Sequence, residues 1–262
     1  MSAPALAIRA RDLLASEWTK FRSVRSTFWA LLVAVVTPVA VSAIVAFAFA
    51  SAPTAGAKAA PPADPLLPGV ISLEYAVIAV TVLGVLAFTA EYSTGLIRVT
   101  FAAAPRRRAV LAAKAAVLAL VMLAVGEAVA FASFGLDQAV LAGHHQGVSL
   151  GHPGVPGAVL CAGLLLCVCT LLGLGLGAIV RHTAGGIAAT IAVIVVPGIV
   201  ALLPSPWSGR IGRFTLLDAA RQVSALHPAT DLFSPAWSLL ILLAWPAAAL
   251  TLAAFVITRR DA

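Results

Sequence analysis

Residues 91–114 read EYSTGLIRVTFAAAPRRRAVLAAK, and they lie between two apolar segments long enough to cross a bilayer. The stretch opens on an acid, Glu91, and turns at Gly95. It continues as an amphipathic segment from Leu96 to Ala103, stops at Pro105 and closes on Arg106, Arg107, Arg108 and Lys114. A charged, amphipathic connection between two hydrophobic runs belongs at a membrane surface. Lys and Arg near span ends are retained on the cytoplasmic side, so this loop is expected on that face.

Composition agrees with that reading. Apolar residues make up 61% of the 262-residue chain and charged residues only 10%, in clusters separated by long uncharged runs. Such a chain is an all-α polytopic membrane protein. The net charge of +7 would suggest nucleic acid in a soluble domain. Here the basic residues flank spans and act as topology signals, so no nucleic-acid partner is expected. The first apolar run is too long for a signal-peptide core and follows some two dozen polar and mixed residues, so no removable signal peptide is expected. Cys161, Cys167 and Cys169 all fall in one apolar run and read as small packing residues. The excess of arginine over lysine and the abundance of alanine fit a GC-rich bacterial genome.

Outward from the opening stretch, six spans are expected at about 27–50, 70–90, 109–134, 154–180, 184–203 and 234–258, forming a single domain over 1–262. Pro38, Pro197 and Pro246 are candidate kinks. Residues 5–25 predict a helix lying in the interface, with Leu13, Leu14, Trp18 and Phe21 on the apolar arc and Glu17 placed within that arc. Glu17 is expected to pair with Lys20 or to meet another protein surface. Span 4 ends in a glycine-rich run where Gly173 and Gly177 have the spacing that lets helix backbones approach closely. Asp137, His144, His145 and His152 are assigned to the loop after span 3. The long segment before span 6 predicts one or two short amphipathic helices between Arg210 and Leu226, with Trp207 and Trp237 as interfacial anchors. On this layout thirteen Lys and Arg residues face the cytoplasm, and Lys58, Arg210, Arg213 and Arg221 face outward. Both termini are therefore expected in the cytoplasm.

Enzyme chemistry is not visible. No G-x-x-x-x-G-K-[ST], H-E-x-x-H, G-x-S-x-G or paired-cysteine metal motif is present, so no catalytic residue or metal site is assigned. The loop histidines match no metal-site spacing and read as solvated. Glu127 lies inside span 3, where an ionisable group is costly and usually faces a bundle interior or a wet cavity. It is a candidate for a transport path, and Glu74, near the outer end of span 2, is a weaker one.

The stretch beginning at Glu91 resembles the permease subunits of exporter-type (type-two) ABC transporters. The matching residues are Glu91, Gly95, Arg98, Pro105, Arg106, Arg107 and Lys114. The N-terminal SEWTKFRSVRSTFW, the glycine-rich end of span 4 followed by RHTAGG, and the long loop before span 6 are similar as well. The resemblance implies an N-terminal elbow helix, a coupling helix between spans 2 and 3, and re-entrant outer helices before span 6. It also implies a second permease, identical or related, and separate ATPase subunits that carry the ATP and Mg. On this basis Glu91, Gly95, Leu96, Arg98 and Pro105 couple to the ATPase. Arg106, Arg107, Arg108 and Lys114 hold the segment at the bilayer surface. The expected setting is the bacterial cytoplasmic membrane, and the apolar spans favour export of a hydrophobic or amphipathic substrate. Two other readings stay open: a non-transporting immunity, sensory or assembly protein, and an ion-coupled secondary transporter using Glu127.

Overall fold

The computed structural model describes residues 10–51, 64–103, 106–144, 146–200, 211, 213–230 and 232–259. Among them are nine helical elements: α1 (Ala10–Ser23), α2 (Arg25–Ser51), α3 (Leu67–Ser93), α4 (Leu96–Ala103), α5 (Arg107–Ala142), α6 (Val155–Val180), α7 (Thr183–Val200), α8 (Leu216–Ser224) and α9 (Pro235–Arg259). Five of these, α2, α3, α5, α6 and α9, are long and apolar enough to cross a membrane. α7 is a shorter apolar helix of 18 residues, about 27 Å long. The chain is thus a polytopic, all-helical membrane protein in its described residues.

α6 is the hub. In its most apolar window 72% of residues are buried, against 22% for α2 at the periphery. Small residues make this possible. A Cβ on Gly173 would lie 2.5 Å from the Thr81 carbonyl oxygen of α3, one on Gly177 3.1 Å from the Val85 carbonyl oxygen of the same helix, and one on Gly175 2.8 Å from Ala249 of α9. Side chains at these positions would force the helices apart, so the close approach expected from the glycine spacing is present. α2 meets its neighbours through a small-residue stripe at four-residue intervals, Ala34, Pro38, Ser42, Ala46 and Ala50, all buried. Its opposite side exposes Phe28, Trp29, Val36, Ile44 and Phe47, as expected for a lipid-facing surface. The helix continues through Pro38 without interruption.

Contacts between distant residues fix which helix ends meet. Thr183 at the start of α7 donates to Thr89 near the end of α3 at 3.0 Å. Arg107 at the start of α5 donates to the Ile257 carbonyl near the end of α9 at 3.1 Å. Arg181, closing α6, stacks its guanidinium 5.3 Å from the Tyr92 ring centroid. One end of the bundle therefore collects Lys20, Arg22, Arg25, Arg106, Arg107, Arg108, Arg181 and Arg259.

At the other end, α8 packs against α6 and α9, and the chain just after it meets the residues that lead into α3. The Asp64 carboxylate accepts the backbone N–H groups of Leu66, Leu226 and His227 at 2.9, 2.7 and 2.9 Å. Thr215 caps α8 by accepting from the Asp218 N–H at 3.1 Å.

Two expectations change. Asp137 is not in a loop: α5 runs unbroken to Ala142, because Asp137 finds a buried partner in the Ser42 hydroxyl and Gln138 receives the Val148 N–H at 2.6 Å. The N-terminal helix breaks at Val24 and does not run to residue 25. Between Arg210 and Leu226, where one or two short helices are expected, the described residues include the helix α8. Trp207 and Arg210 lie outside them, as do Lys58, Pro105 and His145.

Candidate functional site

α1 enters the bundle by the face that carries its acid. Glu17 is 5% exposed, whereas Leu14 and Trp18 on the same apolar arc are 40% and 43% exposed. The reason lies on two other helices. Glu91 sits in the last turns of α3, and Lys114 sits two turns into α5, about 10 Å from that helix's start. Their residue exposures are 6% and 5%.

Four charges close into an alternating ring. Lys114 bonds Glu17 Oε2 and Glu91 Oε1, the latter at 2.8 Å. Lys20 bonds Glu17 Oε1 at 2.8 Å and Glu91 Oε1 at 3.1 Å. Each lysine bridges both glutamates, so the ring is neutral and three helices are tied at one point. Burying charges is costly, and here each ion has two opposite partners that offset the lost hydration. Desolvation would lower the Lys20 pKa. The hydrogen bond and charge of Glu17, with those of Glu91, outweigh it and hold this ammonium above its ordinary value of 10.5. Glu91 Oε2 is buried and has no hydrogen-bond partner.

The chain leaves this ring through Thr94, which donates its hydroxyl to the Ala90 carbonyl at 2.9 Å, and through Gly95 at φ +70°. That left-handed backbone is natural for glycine and turns the chain sharply into α4. α4 is held by Ile97, 3% exposed, and presents Leu96 and Val99 at 44% and 66% exposure. An eight-residue helix with an apolar outer face is therefore rooted directly beside the charge ring. Arg98 lies on α4, with its side chain outside the described residues.

The surface-anchoring expectation divides. Arg106 and Arg108 are exposed, and Arg107 braces α9 as described. Lys114 departs from the expectation: it is inside the bundle, because Glu17 and Glu91 provide partners that a headgroup region would otherwise supply. The transport-path candidates also separate. Glu74 forms a two-point pair with Arg221 of α8, at 2.6 and 2.7 Å. These bonds and the Asp218 carboxylate raise the Arg221 pKa against the effect of its burial. Glu127 packs against Gly163 of α6, where a Cβ would lie 2.8 Å from its carboxyl carbon, and its Oε2 has no hydrogen-bond partner.

A cavity of about 310 Å³ opens beside the ring, walled by α1, α2, α3, the start of α4 and α5. Among the described residues no group of three or more His, Cys, Asp or Glu side chains is arranged to hold a metal, and the three cysteines are free thiols. No family model matches this chain, and no curated protein matches it.

Proposed function

We propose that the chain is the membrane-spanning permease subunit of an ATP-driven transporter of the ABC exporter type, energised by a separate ATPase that docks on α4. The observation that supports it best is the short helix between two spans. Its apolar outer face, Leu96 and Val99, is exposed among the described residues, and its root is tied through Glu91 to α1 and α5. A push on α4 then moves three elements together, which is the requirement for coupling a partner's conformational cycle to the spans.

On this reading all six apolar helices span, with α7 as the fifth. The end rich in Lys and Arg is cytoplasmic, and both termini lie there. The setting is a bacterial cell membrane. A second permease, the same chain or a related one, completes the transporter, and ATP and Mg bind only to the partner. The apolar spans favour an amphipathic or hydrophobic export substrate.

The test is recovery of the tagged chain in mild detergent, with identification of co-purifying proteins and an ATPase assay. A stoichiometric P-loop ATPase is expected, lost when Leu96 and Val99 are changed to Asp. Charge reversal at Glu91 or Arg98 that left transport and coupled hydrolysis intact at equal expression would sink the coupling assignment. Recovery without an ATPase in several detergents and in nanodiscs would favour a non-transporting role. The buried Asp137 and half-buried Glu127 support a second reading, an ion-coupled transporter. Ion-gradient-driven uptake in vesicles that contain only this chain, abolished by Asp137→Asn, would favour it.

A further inference from the structure

We infer that the cavity beside the four-charge ring is a binding site for an aminophospholipid of the bilayer, with the lipid ammonium held at Glu91 and one acyl chain running between α2, α3 and α5. The site does not depend on the transporter reading, because its ligand is a membrane component and its walls belong to this chain alone.

The cavity is amphipathic. Its polar end holds the charge ring together with Ser23 and Thr94, and its deeper walls are Ala30, Leu83, Leu86, Ala87, Val117 and Leu118. A volume of about 310 Å³ is at the lower end for small-molecule sites. It admits a head amine and the first part of one chain, leaving the rest of a diacyl lipid in the bilayer. The rim residues Val24 and Leu96 are exposed apolar side chains, a suitable threshold for an alkyl chain.

The free hydrogen-bonding capacity selects the head. The Ser23 hydroxyl already donates to the Lys20 carbonyl at 3.0 Å, and the Thr94 hydroxyl to the Ala90 carbonyl at 2.9 Å. Both hydroxyl oxygens therefore offer acceptor lone pairs only. Glu91 Oε2 is a buried carboxylate oxygen with no donor, a costly state that an incoming N–H relieves. The last torsion of a glutamate is soft, so a small turn of the carboxyl presents this oxygen to the cavity. An anionic head is less suited. Each ammonium already directs two of its three N–H groups to carboxylates, so an anion would find at most one donor per lysine and would face both glutamates, whereas an ammonium adds to an oxygen that lacks a partner. A quaternary head has charge but no N–H, so it cannot make the bond.

The measurement is native mass spectrometry of the purified full chain in mixed micelles with phosphatidylethanolamine, its N-methyl and N,N-dimethyl forms, phosphatidylcholine and phosphatidylglycerol at equal mole fraction. Phosphatidylethanolamine adducts are expected to exceed phosphatidylcholine adducts about tenfold, with the methylated forms graded between them. Ala87→Phe, which fills the apolar part from α3, and Ala30→Phe, which fills it from α2, are each expected to abolish the preference while the ring stays untouched. Equal retention of the amine and choline lipids would overturn the inference, and so would stronger retention of phosphatidylglycerol. A preference that persists in a folded Ala87→Phe or Ala30→Phe protein would show that the lipid binds elsewhere and overturn the assigned site.

Discussion

Lys114 is joined to carboxylates from two other helices, so truncating it leaves two buried carboxylates to share the single half-buried ammonium of Lys20, with one negative charge uncompensated. Lys114→Met is expected to lower stability by about 3–5 kcal/mol, read by denaturant titration in detergent. Adding Glu91→Gln to that variant should recover part of the loss, and a fully additive double mutant would mean that the ring is not coupled. Arg221→Ala is the contrasting case. Its side chain is 49% exposed, and the loss of its pair with Glu74 is expected to cost no more than about 1 kcal/mol in the same assay. The ring also sets a pH dependence. The folded-state pKa of Lys20 lies above the ordinary lysine value of 10.5. Its pairing therefore contributes fully below that value and is lost as pH rises through the higher, folded one. The stability difference between wild type and Lys20→Met should stay constant from neutral pH to about 10 and shrink only above it. A difference that vanished near pH 8 would contradict the arrangement.

At the scale of elements, the α3–α6 contact rests on the absence of side chains. A Cβ on Gly84 would collide with the Thr170 carbonyl and come within 3.0 Å of the Leu174 nitrogen. Both are backbone atoms that cannot swing away. Gly84→Leu is expected to cost at least the ~1–3 kcal/mol typical of overpacking and to reduce the yield of folded protein. The connection at the end of the bundle away from the basic cluster is held differently, by one carboxylate that serves backbone donors of Leu66, Leu226 and His227. Asp64→Ala leaves those amides without their partner, so hydrogen exchange at Leu226 and His227 should accelerate while the amides within α6 remain protected. Uniform acceleration across the bundle would mean that Asp64 supports the whole fold.

At the scale of the molecule, the decisive quantity is sidedness. Thr94, beside the basic end, and Gln146, in the loop after α5, are both exposed and lie at opposite ends of the bundle. Single cysteines at these positions, in a background without the native three, should react with a membrane-impermeant maleimide from opposite sides of a sealed vesicle. On the orientation proposed above, Thr94→Cys is expected to react on the cytoplasmic side. Reaction of both from one side would exclude an odd number of crossings between them and with it the membrane-spanning role of α5. The same bundle leaves α2 mostly uncovered and α6 enclosed, so substitutions of large residues should be tolerated far better at Phe28 or Ile44 than at Leu166 or Leu172.

The sequence by itself determined the class of protein, the succession of apolar helices, the turn at Gly95 and the concentration of positive charge at one end. Each depends on local composition or on spacing along one helix, and hydropathy and glycine chemistry report these directly. It also marked Glu17 as an acid within an apolar arc, while Glu91 read as the acid that opens the loop and Lys114 as a surface anchor. What it did not show, beyond the Glu17–Lys20 pair expected within one helix, is that these charges on three helices are each other's partners. They lie on three helices, and a charge's partner across 97 residues is set by how the helices pack. The same holds for Glu74, whose partner is 147 residues away, and for Asp137, kept in a continuous helix by a hydroxyl on α2. Only the tertiary structure decided these pairings, because burying a charge is tolerable only where another element brings its counter-charge.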